Sequence, residues 1–143
     1  MQYLGFFLFV LLFLSCNSNN QKSNETVFDA GEIVITFNRD ARITTFITKE
    51  GEAVNGKVVQ HLANGGLNTW KVENGLATLQ IMYYPNGQVE RTLELKNGVE
   101  HGSFVMYYPD GSKYVEQHYA DGEPVGTWYR WNKNGELVET KEQ

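Results

Sequence analysis

The chain has 143 residues, of which 41% are hydrophobic and 20% charged, and its formal net charge is −5. This composition is typical of a globular protein rather than a disordered one, and the length suffices for one modest domain. The negative charge argues against nucleic acid and anionic lipid headgroups as partners.

The N-terminus is an uncharged segment that is apolar from residue 4 to residue 14. A helix needs about 20 apolar residues to span a bilayer, so this shorter segment is typical of a secretory signal peptide. The end of this segment and the residues after it form the tetrapeptide Phe-Leu-Ser-Cys at positions 13–16. This tetrapeptide resembles the lipobox of bacterial lipoproteins, in which the cysteine receives the lipid. We therefore expect a signal peptide over residues 1–15 and lipid attachment at Cys16.

The residues that follow the signal predict a tether and a location. Residues 17–26 are polar, with nothing apolar to bury, so residues 16–28 are predicted to form a polar tether. Cys16 is the only cysteine, so packing alone must stabilise the domain at 29–143. Acidic residues, which direct some lipoproteins to the cell surface, do not follow Cys16 directly. We expect a lipid-anchored protein in the envelope of a Gram-negative bacterium, facing the periplasm.

Two families of turns alternate along the domain. The motif Tyr-Tyr-Pro-Asn-Gly at 83–87 recurs 24 residues later at 107–111, and in looser form at 131–135. Between these motifs lie the dipeptides Asn74-Gly75, Asn97-Gly98 and Asp121-Gly122. Asn-Gly and Asp-Gly supply the positive φ angles of type I′ turns and are strong hairpin signals. The intervening segments have strand lengths.

These repeats predict an all-β fold, an antiparallel meander of tandem hairpins that forms one twisted and curled sheet. We count about five units, at 29–50, 51–74, 75–97, 98–121 and 122–143; the first is degenerate and a candidate cap. Strand alternation places Val58, Gln80, Phe104 and Trp128 on one face. It places Val59, Ile81, Val105 and Tyr129 on the other, so both faces carry large apolar groups. Because a flat sheet could not bury both, we expect one face in a concavity and the other partly exposed.

A known repeat family resembles this pattern. Residues 121–135 contain a turn glycine, a second glycine (Gly126) before an aromatic residue, and aromatics that lead to Asn-Gly; residues 97–111 follow the same order. This order closely resembles the bacterial variant of the MORN repeat, and the resemblance extends over about 51–139. It implies the fold more securely than the function. Proteins with these repeats often carry the label of YwqK-family antitoxin, and many of those in Gram-negative bacteria are small lipoproteins. The resemblance therefore implies an antitoxin or immunity-like protein as an alternative function.

The sequence offers no recognisable catalytic or metal site. His61, His101 and His118 lack the spacing of a ligand pair, and the positions of Asp110 and Asp121 before turn glycines account for both carboxylates. Phosphate-binding, dinucleotide-binding and calcium-loop motifs are missing as well. We therefore predict a protein that is not an enzyme and that uses no metal and no cofactor. An enzyme of envelope polymers is the least favoured alternative.

The candidate binding surface is an aromatic column formed by Tyr83, Tyr107 and Trp131, with His61 at its end. Rings repeated along a sheet can stack on sugars or grip a peptide, whereas a cross-strand ladder of rings would only stabilise the sheet. The sequence thus predicts a protein- or glycan-binding module whose partner is unidentified. Charged residues on the last strand discourage pairing with another chain and favour a monomer; they are Glu136, Glu139 and Lys141.

Overall fold

The structure is a computed structural model that describes residues 25–39 and 41–143. The predicted signal peptide, Cys16 and most of the predicted tether lie outside these residues. The described part contains eleven strands: β1 (Val27–Asp29), β2 (Ile33–Asn38), β3 (Ile43–Thr48), β4 (Gly56–His61), β5 (Leu67–Glu73), β6 (Leu76–Tyr83), β7 (Val89–Lys96), β8 (Val99–Tyr107), β9 (Lys113–Ala120), β10 (Glu123–Trp131) and β11 (Leu137–Glu142). No helix in that part is long and apolar enough to cross a bilayer.

The predicted meander is confirmed over eight consecutive strands. From β4 to β11 every strand pairs antiparallel with the next one in the chain. The short strand β1 extends the sheet on the outer side of β4, where it pairs in parallel. The fold is therefore all-β, with one open sheet built mostly from hairpins.

The two turn families have different geometries and lie at opposite edges of the sheet. At Asn74-Gly75, Asn97-Gly98 and Asp121-Gly122 both residues have positive φ, as type I′ turns require. We call the edge that these turns form the tight-turn edge. At the opposite edge, the long-turn edge, only the glycine has positive φ, and Gly87 N donates to Tyr84 O at 2.9 Å. These are three-residue loops that end on a left-handed glycine.

The second glycine of the repeat lies at a β-bulge. The register of β7 and β8 shifts beside Gly102, and that of β9 and β10 shifts around Gly126. In the first such unit Thr78 occupies the equivalent position, and the register of β5 and β6 shifts there too. The register shifts a second time in each unit at the opposite end of the strands, beside Tyr83, Tyr107 and Trp131. Bulges increase the local twist of a sheet, so these recurrent irregularities favour the predicted curl.

The strand registers sort the side chains into two faces as the sequence predicts. Face A contains one line of residues that lie opposite one another across five strands: Val58, Trp70, Gln80, Leu93 and Phe104. The adjacent line belongs to face B: Val59, Thr69, Ile81, Thr92 and Val105.

The first predicted hairpin forms, but it lies outside the meander. β2 and β3 pair antiparallel, while β3 meets the main sheet through a single bridge between Thr45 and Leu76. β3 runs along the tight-turn edge, where Phe46 N donates to Gly75 O at 2.9 Å. Farther along, Arg42 Nη1 donates to Gly122 O at 3.0 Å. The hairpin therefore crosses the ends of the other units.

The main hydrophobic core lies between this hairpin and the first strands of face A. Phe46, Val54 and Val58 are completely buried, and the Phe46 ring centroid is 5.5 Å from that of Trp70. Ile33, Val72 and Ala77 complete the buried cluster. The hairpin thus acts as a cover over the beginning of face A.

Replacing Phe46 with alanine should reduce the free energy of unfolding by about 3–5 kcal/mol, because it removes a fully buried ring and leaves a cavity. Phe37→Ala is the matched control, since Phe37 lies on the same hairpin with 61% of its surface exposed. That change should cost less than about 0.5 kcal/mol. Urea unfolding measures both, and equal losses would contradict a core centred on Phe46.

Candidate functional site

The four predicted surface residues end alternate strands of the sheet. His61, Tyr83, Tyr107 and Trp131 are the last residues of β4, β6, β8 and β10. They lie at the long-turn edge, and we call them the aromatic row. Each is two residues beyond a member of face B or of its continuation, and so shares that face. Two strand spacings separate successive members by about 9.5–10 Å.

The members of the row do not form a ladder of touching rings. Within the described part of the chain, the aromatic contacts of the row are confined to Trp131, which stacks on Tyr129 with ring centroids 5.8 Å apart. An intervening strand separates the members, and Lys113 lies opposite Tyr107. Its Nζ is 5.2 Å from the centre of the Trp131 ring, a cation–π distance. The rings are half-buried, and His61 is exposed.

The second tyrosine of each motif links one unit to the next. Tyr84 Oη donates to Tyr107 O at 2.8 Å, and Tyr108 Oη donates to Trp131 O at 3.0 Å. Asn86 Nδ2 adds a parallel bond of 2.9 Å to Pro109 O. Burial raises the pKa of the Tyr84 phenol, and the nearby charge of Glu90 raises it further. The recurrence of a double tyrosine is the sequence signal for this link, which sequence reasoning missed.

The histidines and the turn aspartates do not converge on a catalytic or metal site in the described residues. Asp110 Oδ1 accepts hydrogen bonds from Ser112 Oγ at 2.6 Å and from Ser112 N at 2.9 Å, and these bonds lower its pKa. Asp121 has a different role, because it is the residue with positive φ in a tight turn, and its Oδ1 is 3.5 Å from His101 Nδ1. Across 25–39 and 41–143 no three His, Cys, Asp or Glu side chains group as metal ligands.

Face A contains a pocket that the sequence did not predict. It is a pocket of about 330 Å³ between the β2–β3 hairpin and the sheet. Phe37 and Thr44 line it from the hairpin, and the sheet contributes Trp70, Leu93 and Leu95. We call it the hairpin groove. The groove exists only because the hairpin folds back over the sheet. The sequence pattern of the hairpin strands or of the sheet strands alone could therefore not indicate it.

Charged groups close the groove at the tight-turn edge. Arg42 Nη2 is 3.6 Å from Glu100 Oε2, and Arg42 Nη1 is 3.5 Å from Glu123 Oε1. All three side chains are substantially exposed, so these pairs add little stability. The direct contact between the hairpin and the last tight turn is the hydrogen bond from Arg42 Nη1 to Gly122 O.

Comparison with known proteins supports the repeat assignment. Residues 79–97 and 100–121 match the family model described as the MORN repeat variant. The match covers most of β6 to β9 and supports a MORN-repeat protein; such repeats are generally protein- or lipid-interaction modules. Searches of curated proteins and of solved structures gave no significant match.

Replacing Tyr108 with phenylalanine should lower the free energy of unfolding by about 0.5–1.5 kcal/mol, because it deletes one link between units while keeping the ring. Tyr107→Phe, the neighbouring change in the same motif, leaves both links in place and should be nearly neutral. Chemical unfolding followed by fluorescence compares the two. An equal effect of both changes would mean that the links are not the distinguishing interaction.

Proposed function

We propose that this protein is a lipid-anchored interaction module of the bacterial cell envelope that binds a protein or glycan partner through the aromatic row. One observation carries this proposal: each of three successive units presents one aromatic side chain on the same face and at the same edge of the sheet. Binding without turnover is the activity that we propose.

The division of labour between paired tyrosines supports a surface role for the row. Tyr84 and Tyr108 make the links between units, so stability does not require Tyr83 and Tyr107 to do so. Aromatic side chains offer large, rigid contact areas with polar tips, and ordering them costs little conformational entropy. At about 10 Å apart, the rings are spaced for a ligand that is itself repetitive or extended.

The Trp131 end of the row is the best prepared for a ligand. Its ring is held by the stack with Tyr129 and by the Lys113 ammonium group. A ring that is already positioned loses less freedom on binding, which improves affinity. An antitoxin or immunity-like role would be the same function with a toxin as the protein partner.

Cys16→Ala tests the anchor. If the cysteine carries lipid, the variant should leave the membrane fraction and migrate differently on a denaturing gel, because it lacks the acyl chains that hold it to the bilayer. Ser18→Ala serves as the control and should behave like the unchanged protein. Unaltered fractionation and migration of the Cys16 variant would reject lipid anchoring.

Tyr107→Ala combined with Trp131→Ala tests the row. The partner is first identified by photo-crosslinking in living cells from a probe placed at Tyr83. The double variant should then lose that partner by about tenfold or more in affinity, as expected when central aromatic contacts are removed. Its melting temperature should stay close to that of the unchanged protein.

The control for the row is Val27→Ala, because Val27 is an exposed apolar residue of β1 that lies opposite Lys57 and outside the aromatic row; this variant should retain the partner. A collapse of the melting temperature in the double variant would instead assign the row a stabilising role. Full binding by the double variant would exclude the row as the contact surface.

A further inference from the structure

Three strands in the described part of the chain have an unpaired edge: β1, β2 and β11. β1 has only three residues and contains Asp29. β11 carries charges at Glu139, Lys141 and Glu142, as expected for an edge that avoids other chains. β2 differs from both, since its six residues include no charge.

The β2 edge is also markedly apolar for an exposed strand. Val34 is 40% exposed, Ile35 36% and Phe37 61%. An uncharged, apolar edge of this length is a template for the addition of another strand, because its outward N–H and C=O groups need partners. Natural proteins usually protect such an edge with charged residues, proline or a covering element, and the six residues of β2 include neither charge nor proline.

The position of β2 defines the space that an added strand would occupy. β3 lies along the tight-turn edge, and β2 pairs with the other side of β3. Phe37 of β2 lines the hairpin groove together with Gln80 and Leu93, which lie well inside face A. The free edge of β2 therefore opens over face A.

Face A has room for this addition. Strands β6 to β10 have 8 or 9 residues and are thus about 26–30 Å long, whereas the two hairpin strands cover about 10 Å of that length. The uncovered part carries half-buried apolar side chains, among them Met82, Phe104 and Met106. The hairpin is thus the beginning of a second layer that stops short.

We propose that the free edge of β2 binds an extended, uncharged segment of a partner polypeptide, which adds a third strand to the hairpin and covers the open part of face A. Alternate side chains of this segment would point at face A and must be apolar, because the two layers would lie about 10 Å apart with no space for water. The site is separate from the aromatic row, which lies on face B.

A second folded copy of this chain does not fit the same place. Antiparallel pairing of two β2 strands about a two-fold axis keeps the same face of both hairpins on one side. Each copy carries its own sheet below its hairpin, so the two sheets would compete for the same volume. A single extended strand avoids this clash, which favours a tail or loop over a folded domain.

The test uses the purified full-length protein and a blocked hexapeptide of alternating valine and threonine, with lysines at both ends for solubility. Fluorescence anisotropy should show saturable binding. Phe37→Lys should weaken it about tenfold or more, because the added strand would bury the new charge. Val34→Lys is the matched control on the same strand: its side chain is on the opposite face of the hairpin and should change the affinity by less than about threefold.

Two N-methylated versions of the peptide test the backbone pairing itself. In an added strand, alternate N–H groups point to β2, so methylation of one set, either all valines or all threonines, should abolish binding while methylation of the other set preserves it. The proposal would be overturned if methylation of the two sets reduced binding equally, or if no saturable binding were found. It would also be overturned if Phe37→Lys and Val34→Lys reduced the affinity equally at an unchanged melting temperature.

Two further outcomes would assign the edge to another occupant and also overturn it. Light scattering could show a dimer that Phe37→Lys dissociates, which would make a second copy the occupant. Binding that appears only after deletion of residues 17–24 would give the edge to the chain's own tether. The Tyr107→Ala/Trp131→Ala variant should bind the peptide normally, so loss of the row and loss of the β2 site are distinguishable.

Discussion

The fold depends on the burial of face A of the sheet, which needs a covering element. Face A begins with completely buried Val58 and is covered there by Phe46, which the β2–β3 hairpin brings across the edge of the sheet. Without this cover, the first units would expose a row of large side chains to water at a cost of about 25 cal/mol per Å². The hairpin therefore completes the domain rather than simply extending it.

The hairpin covers only the first part of face A, so the later units are stabilised differently from the first ones. Burial is greatest where the hairpin lies, and it declines along the sheet toward β11, whose residues are all exposed. The later units rely on repeat-to-repeat links, such as the bond from Tyr108 Oη to Trp131 O. Stability is thus drawn from a core at one end and from nearest-neighbour contacts at the other, as in other repeat proteins.

The paired tyrosines show how one motif can serve two purposes. Neighbouring side chains of a strand point to opposite faces, so Tyr107 and Tyr108 meet different surroundings although they are adjacent in sequence. The second tyrosine reaches a carbonyl of the next unit, while the first stays on the surface with the rest of the aromatic row. One motif therefore supplies both a link between units and an aromatic side chain on face B.

The sequence by itself determined the all-β class, the hairpin order and the assignment of residues to faces. These follow from local rules: Asn97-Gly98 needs positive φ angles that few other residues tolerate, and strand alternation then fixes the face of each side chain up to the next turn. The aromatic row was found in this way, because its members occupy equivalent places in successive units.

Only the tertiary structure decided where the first hairpin lies, and with it the core, the hairpin groove and the free edge of β2. β2 and β3 pair with each other through local contacts, but nothing in their pattern says which distant surface they cover. That choice depends on contacts such as Phe46 with Trp70 and Arg42 with Gly122 O, which join residues far apart in the chain. Local patterns cannot encode such contacts, because they depend on where the folded sheet leaves apolar surface to bury.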